Sequence, residues 1–366
     1  HRQFWRTKIL GMKIALVTDQ HFGARNDSQK IAQHMKQFYD NVFFPYIDKH
    51  KIDTVINLGD TFDRRKYISF TSLKSSREMF FQPLADRGIH MHVIVGNHDS
   101  VYKNTLEVNS IDLLLEEFDN ITTYVQPDVV EFDGSKIMLV PWICDANEEQ
   151  TFVMADKTDA QMLLGHLELS GYEMNKFHVI DHGISDKWLQ KFDLVCSGHY
   201  HHKSCHGNIN YLGTGYEITW SDYDDQKGFH ILDTDTRTIE FIPNPHILFH
   251  KIWYDDTDLD MTGLLEQTKD FSKFENKIVK VIIKTKDNPT LFDLYIEKLE
   301  QVNPMQVQVV QDHLHLDLED DEDIIDEAED TLTILNTYVD NLEIKNEKNE
   351  LQSLLRALYD EALQVS

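Results

Sequence analysis

The stretch KIALVTDQH, residues 13–21, sets a short apolar run against a turn that carries Asp19 and His21. An unbroken apolar run of this length suits a strand covered on both faces, so residues 13–18 read as a buried strand. Residues 29–50 follow with helical spacing, and DTVINLGDTFD, residues 53–63, repeats the pattern of strand and polar turn. Residues 72–86 read as a helix and residues 90–95 as a third strand, which ends in GNHD, residues 96–99. This βαβα order predicts a sheet with helices on both faces. Further runs at 129–132, 136–140, 161–164, 193–197, 229–233 and 238–242 are denser in strands. The fold class is therefore α/β, with a two-sheet α/β sandwich as the core.

Five polar motifs close predicted strands: Asp19-Gln20-His21, Gly59-Asp60-Thr61-Phe62-Asp63, Gly96-Asn97-His98-Asp99, Gly165-His166 and Gly198-His199-Tyr200-His201. The C-terminal ends of strands are where open α/β sheets place their sites. Glycine lets the backbone turn sharply so that the next side chain points into such a site. Each motif alone is weak, but five in order at strand ends point to one site. Carboxylates, an amide oxygen and imidazoles, with no thiolate, form a mixed nitrogen and oxygen donor set that suits Mn²⁺, Fe or Zn. There are more donors than one tetrahedral ion takes. Two ions sharing a carboxylate, roughly 3.5–4 Å apart, use such a set naturally. In an extended segment alternate residues share a face, so His199 and His201 go together, while His202 and His206 read as bystanders.

Charge bounds the partners. The 366-residue chain has a net charge of −28. Residues 312–366 hold 17 acidic and 3 basic residues, a net of −14, which is half of the excess. The remainder is still acidic, which counts against autonomous tight binding to DNA. Basic residues nevertheless follow four of the five motifs: Arg25, then Arg64, Arg65 and Lys66, then Lys103, then Lys203. They either form a positive rim for a phosphate backbone or are ordinary surface cations. The three cysteines, Cys144, Cys196 and Cys205, are too few and unpaired in spacing for a disulfide framework, which fits a reducing cytoplasm. No apolar stretch reaches the roughly 18 residues that span a membrane.

Residues 1–11 lack an apolar run, so they read as a leader or an added extension rather than a secretory signal. Residues 12–245 form the catalytic domain. Pro243 and Pro245 punctuate its end, and residues 246–318 read as a small α+β capping and DNA-binding domain. Residues 319–330 form an acidic linker. Residues 331–366 show helical spacing through Leu332, Leu335, Tyr338, Val339 and then Leu351, Leu354, Leu355 and Leu358. Such helices either dock onto a partner or pack back on their own domain.

The five motifs resemble those of the calcineurin-like metallophosphoesterases over residues 13–242. Within that superfamily, the small domain and helical tail look like the SbcD-type nucleases, nearest their bacteriophage recombination members. Pro141-Trp142, Gly165-His166-Leu167-Glu168-Leu169, Ser197-Gly198-His199 and Phe241-Ile242-Pro243-Asn244 carry that likeness. The resemblance implies that Asp19, His21 and His201 hold one metal, that Asn97, His166 and His199 hold the other, and that Asp60 bridges them. It places His98 over the scissile phosphate, stabilising the transition state or protonating the leaving oxygen. Asp63 and Asp99 then either orient histidines or serve as turn carboxylates. It further implies Mn²⁺, with Mg²⁺ as the alternative, and 3′→5′ exonuclease action on duplex DNA with endonuclease action on single strands. The implied assembly is a homodimer bound, through the C-terminal helices, to an SbcC-type SMC-like coiled-coil ATPase, in the host cytoplasm if phage-encoded. Two other readings share the motifs. A phosphoprotein phosphatase or nucleotide phosphodiesterase has no need of the extra domain and tail. A non-catalytic DNA-end sensor has no need of a complete ligand set.

Overall fold

The computed structural model describes residues 11–175, 178–180 and 182–311. The expected linker at 319–330, the helices at 331–366, most of the expected extension and the last residues of the small domain lie outside them.

In chain order, β1 (Lys13–Val17) leads through helical segments Gln29–Phe38, Tyr39–Phe43 and Phe44–His50 to β2 (Thr54–Asn57). Segments Phe70–Ser76, Arg77–Phe81 and Gln82–Asp86 precede β3 (His90–Ile94), and helix Ser110–Leu115 precedes β4 (Ile121–Tyr124). The hairpin of β5 (Asp128–Phe132) and β6 (Ser135–Val140) is followed by helix Glu148–Lys157 and β7 (Met162–His166). Short strands β8 (Glu173–Asn175) and β9 (His178–Val179) precede β10 (Leu194–Gly198), β11 (Ser204–His206), β12 (Ile209–Tyr211), β13 (Gly228–Asp233) and β14 (Thr238–Pro243). Then come β15 (Phe249–Asp255), helix Met261–Thr268, β16 (Ile278–Thr285), helix Pro289–Gln301 and β17 (Gln306–Gln311).

Two six-stranded sheets form the core, in the orders β14-β13-β1-β2-β3-β4 and β11-β12-β10-β7-β6-β5. Strands β1 to β4 run parallel, as do β6, β7, β10 and β12. Side chains alternate between faces. Ile14 and Leu16 of the first sheet accordingly meet Leu139, Leu164 and Cys196 of the second in one buried layer. Each fully buried aliphatic chain there stabilises by about 1.5–3 kcal/mol. The other face of the first sheet is covered by an aromatic layer in which Tyr39 and Phe43 pack on Phe80, and Phe38 and Phe43 on Phe229.

The two long helices expected at 29–50 and 72–86 each contain a π turn, Tyr39–Phe43 and Arg77–Phe81. Proline is the second residue of the next segment in both, at Pro45 and Pro83. Proline lacks an N–H and clashes with the carbonyl four residues back, and widening the turn relieves both problems. The third sheet, in the order β15-β16-β17, is wholly parallel. It has its own core of Tyr254, Val279, Val281, Phe292 and Leu299, among others.

Candidate metal centre

The parallel strands of both sheets end at one place, where the five motifs meet: Gly165-His166 closes β7 itself, Gly198 closes β10, and the rest lies in the loops that follow. The loop after β1 runs beside the loop after β2. Asp19 N donates to Gly59 O, His21 N to Asp60 O and Phe22 N to Thr61 O, at 2.9–3.0 Å. These bonds hold Asp19, His21 and Asp60 at φ of 49°, 45° and 53°, and His199 lies at 86°. Positive φ is costly for residues with a Cβ, and its concentration at four candidate ligands marks a site held by its surroundings. Gly96 and Gly198 are needed for close approach. A Cβ on them would lie 2.1 Å from Asp60 Oδ1 and 2.0 Å from Thr18 Oγ1.

Two groups of donors result. Atoms of Asp19, His21 and His201 lie within 4.8 Å of one another, as do those of Asp60, His166 and His199. His21 Nε2 and His201 Nε2 are 3.0 Å apart. In the second group, Asn97 Oδ1 lies 2.9 Å from His166 Nε2 and 3.1 Å from His199 Nδ1. Asp60 stands between the groups, with Oδ2 3.3 Å from His166 Nε2 and 3.9 Å from His21 Nε2. Every side chain expected as a ligand is therefore brought to the same cleft. All are buried except His199, which is half-buried.

The donor set fits cations. Burial opposes charge on His21, yet Asp63, Asp60 and Asp19 outweigh it and raise the imidazole to about 10. His166 is likewise raised to about 9 against burial, chiefly by Asp60 and Asp19. Burial and the neighbouring imidazoles instead hold His199 and His201 well below the ordinary histidine range. The extra proton on one imidazole per group, His21 and His166, is what a metal pair would displace, so affinity for divalent cations should rise with pH. His166 Nδ1 donates to Leu58 O at 2.7 Å, which turns Nε2 toward the cleft.

The surrounding residues divide by what they touch. Asp63 Oδ1 lies 3.3 Å from His21 Nδ1. Asp99 meets backbone instead: Oδ1 accepts from Thr61 N and Phe62 N, and Oδ2 from Gly96 N, at 2.9–3.1 Å. It ties the third loop to the second and orients no imidazole through these bonds. His98 Nδ1 is 2.6 Å from Asp63 O, and its backbone N donates to Asp60 Oδ1 at 2.8 Å. The ring is half-buried and stands edge-on to His21.

The six cations do not form a uniform rim. Arg65 Nη2 comes within 3.2 Å of the Asn97 amide. Arg64 is occupied by Asp27 and Asn26, at 2.9 and 2.7 Å, and lies over Tyr67. Lys203 sits over the Phe241 ring. Arg25 is half-buried, and Lys66 and Lys103 are exposed. His202 meets Asp225 and His206 meets Glu173, away from the donor groups.

Two contributors carried no sequence signal of this role. Trp142 packs against His199 and His166, with ring centroids 5.1 and 6.1 Å away. Lys227, 4% exposed, donates to His201 O at 2.8 Å and pairs with Asp222 at 2.6 Å and Asp225 at 2.9 Å. Burial would lower its pKa, but the two aspartates outweigh this and raise it. Lys227→Met removes the cation between two buried carboxylates, an expected loss of about 3–5 kcal/mol. It also frees the His201 backbone. Thermal unfolding should show the loss, and Mn²⁺ titration of the surviving folded protein should show weakened binding. An unchanged melting temperature would refute this role.

A family model described as calcineurin-like phosphoesterase matches residues 12–203, more than half of the chain. The chain is 32% identical over 360 residues to exonuclease subunit 1 of Enterobacteria phage T4, a match that covers 96% of this chain and all of the relative. Among solved structures, an archaeal phosphodiesterase aligns at 15% identity and a TM-score of 0.34, covering 64% of this chain and 100% of that one. The nuclease MPE of Pseudomonas putida aligns at 15% identity and a TM-score of 0.28, covering 63% of this chain and 87% of that one.

Proposed function

We propose that this chain, which belongs to the calcineurin-like phosphoesterase family, is a DNA nuclease subunit that cleaves phosphodiesters with two divalent cations. The observation that carries this reading is the pair of donor groups, Asp19/His21/His201 and Asp60/His166/His199, with Asp60 between them. Asn97 adds an amide oxygen to the second group. When bound, two such cations supply Lewis acidity toward water and neutralise phosphate charge. An imidazole-rich set favours Mn²⁺ over Mg²⁺, which prefers oxygen and water.

The chain's own residues do the rest. His98 is the half-buried histidine at the mouth whose Nδ1 is committed to Asp63 O. Its Nε2 is left to hold a proton for the phosphate or the leaving oxygen. The relative's description as an exonuclease subunit supports DNA as substrate and a partner chain. A net charge of −28 supports a division of labour in which the partner supplies much of the DNA grip. In this reading the partner is an SbcC-type SMC-like ATPase docked through residues 331–366, and the nuclease subunit is a homodimer. Residues 246–318 cap the site, and cleavage is 3′→5′ on duplex ends and endonucleolytic on single strands.

The test is hydrolysis of end-labelled duplex DNA beside bis-p-nitrophenyl phosphate, with Mn²⁺, Mg²⁺ or EDTA. Stepwise shortening of DNA with Mn²⁺, abolished by EDTA, is expected. Turnover of the small diester with no DNA cleavage, even with the ATPase present, would favour a small-substrate phosphodiesterase.

A further inference from the structure

Gln20 separates Asp19 from His21, and its side chain is engaged elsewhere. Its Oε1 accepts from Asn57 Nδ2 at 2.8 Å, and its Nε2 donates to Tyr39 Oη at 2.5 Å. Its backbone oxygen accepts from Tyr216 Oη at 2.7 Å. Tyr39 Oη and Tyr216 Oη are 3.5 Å apart. With the Tyr216 proton on Gln20 O, the Tyr39 proton is the one left to point at Tyr216. The contacts close a ring, from Gln20 Nε2 to Tyr39, on to Tyr216 and back to Gln20 O. Burial pushes both phenols above their ordinary range, so each keeps the proton it donates.

Asn57 carries the ring to the second loop. Its Nδ2 also donates to Thr61 Oγ1 at 2.9 Å, and its Oδ1 accepts from Gly59 N at 3.0 Å. Gly59 and Thr61 flank Asp60. One side chain at the end of β2 therefore holds both neighbours of Asp60 and, through Gln20, the residue between Asp19 and His21. Those three candidate ligands all lie at positive φ, a conformation that persists only where its surroundings over-determine it. Gln20, Tyr39, Asn57, Thr61 and Tyr216 are each at most 2% exposed. Apolar side chains of the same shape would be about as stable there. What a satisfied polar network adds is one geometry. Tyr39 also opens the π turn Tyr39–Phe43, and such turns recur at functional sites.

We propose that Gln20, Asn57, Tyr39 and Tyr216 form a buried positioning network that sets the spacing of the two donor groups. The four side chains touch neither cation nor substrate and act through Asp19, His21 and Asp60. This rests on the two-cation reading above and adds to it the residues that keep the pair at bridging distance.

The experiment titrates the full chain with Mn²⁺. Calorimetry measures affinity and stoichiometry, and electron paramagnetic resonance reads the exchange coupling between two bound Mn²⁺ ions, which depends on their spacing. Tyr39→Phe, Tyr216→Phe and Gln20→Met each remove bonds of the ring at nearly constant shape. Each is expected to weaken Mn²⁺ binding about tenfold, the low end for a residue that supports a metal ligand, and to alter the coupled spectrum. The double variant Tyr39→Phe/Tyr216→Phe should lose less than the product of the two single losses, because both break one network. Tyr254→Phe removes a buried hydroxyl bonded to Asp256 in the third sheet and serves as the stability control. It should lower the melting temperature and leave Mn²⁺ affinity and spectrum as in the wild type. If the ring variants show the control's pattern, the network serves stability alone and the proposal is overturned. Losses that simply multiply would mean separate props and would overturn it too. Circular dichroism confirms folding, and three separate substitutions keep the test open should one variant fail to fold. If the wild type binds no pair of Mn²⁺ ions, the two-cation reading itself fails. If it binds the pair and the variants match it, only the network fails.

Discussion

Asp60→Asn is expected to empty both metal positions and to lower DNA cleavage by more than about 10³-fold, beyond the 10²–10³ lost with a single preorganised donor. Asp60 is 2% exposed and stands between the two donor groups. Burial alone would raise its pKa, but His166, His98 and His21 outweigh this and hold the carboxyl well below its ordinary range. Those imidazoles favour its carboxylate form. Asparagine keeps the size and an oxygen that can accept from His98 N, so the loop should survive. What is lost is the charge that faces both groups. Metal analysis after dialysis against Mn²⁺ is the check, with circular dichroism as the control for folding. Wild-type metal content in Asp60→Asn would remove Asp60 from the bridging position.

His98→Gln is expected to divide binding from chemistry. His98 belongs to neither donor group, so metal content should be unchanged. Cleavage should fall by about 10²–10⁴-fold, the range for loss of a general acid, which corresponds to about 2.7–5.5 kcal/mol of transition-state stabilisation. The sign of the pH dependence follows from the ring. With Nδ1 bonded to Asp63 O, Nε2 can donate only when the imidazole is protonated. Burial, opposed by Asp60 and reinforced by His21, holds His98 below its ordinary value. A phosphate anion nearby pushes it back up. Activity that depends on protonated His98 is present below its pKa in the complex and is lost as pH rises through it. In His98→Gln this alkaline fall should vanish from kcat along with most of the rate. A variant that loses metal, or keeps both rate and profile, would contradict the assignment.

The donor residues were legible because each sits within five residues of an apolar run that reads as a buried strand. Residues 13–18 show this well: the run gave β1, and the polar residues after it had to lie at its C-terminal end. The carboxylate roles were not legible. Asp63 and Asp99 look alike in sequence, each in the turn that holds an expected ligand, yet one faces His21 and the other binds three backbone amides. Arg64 and Arg65 are adjacent, and only the course of the loop sends one to Asp27 and the other to Asn97. Lys227 reaches His201 across 26 residues and bonds to its carbonyl, a contact that no spacing encodes.

Some of the fold was hidden for similar reasons. Strand β4 is half-buried along its length at a sheet edge, so ITTY shows neither a continuous apolar run nor clean alternation. Helix Glu148–Lys157 buries only Thr151 and Ala155, which leaves little apolar periodicity to read. The small domain read more clearly, because β16 is a long apolar run and helix Pro289–Gln301 buries Leu291, Phe292, Tyr295 and Leu299 at helical spacing.

The most direct test of the central claim is anomalous diffraction at the manganese edge from crystals of the full chain grown with Mn²⁺. Two peaks are expected, roughly 3.5–4 Å apart. One should be bounded by Asp19, His21 and His201, the other by Asn97, His166 and His199, with Asp60 touching both. A single peak, or two that do not share Asp60, would contradict the two-cation centre.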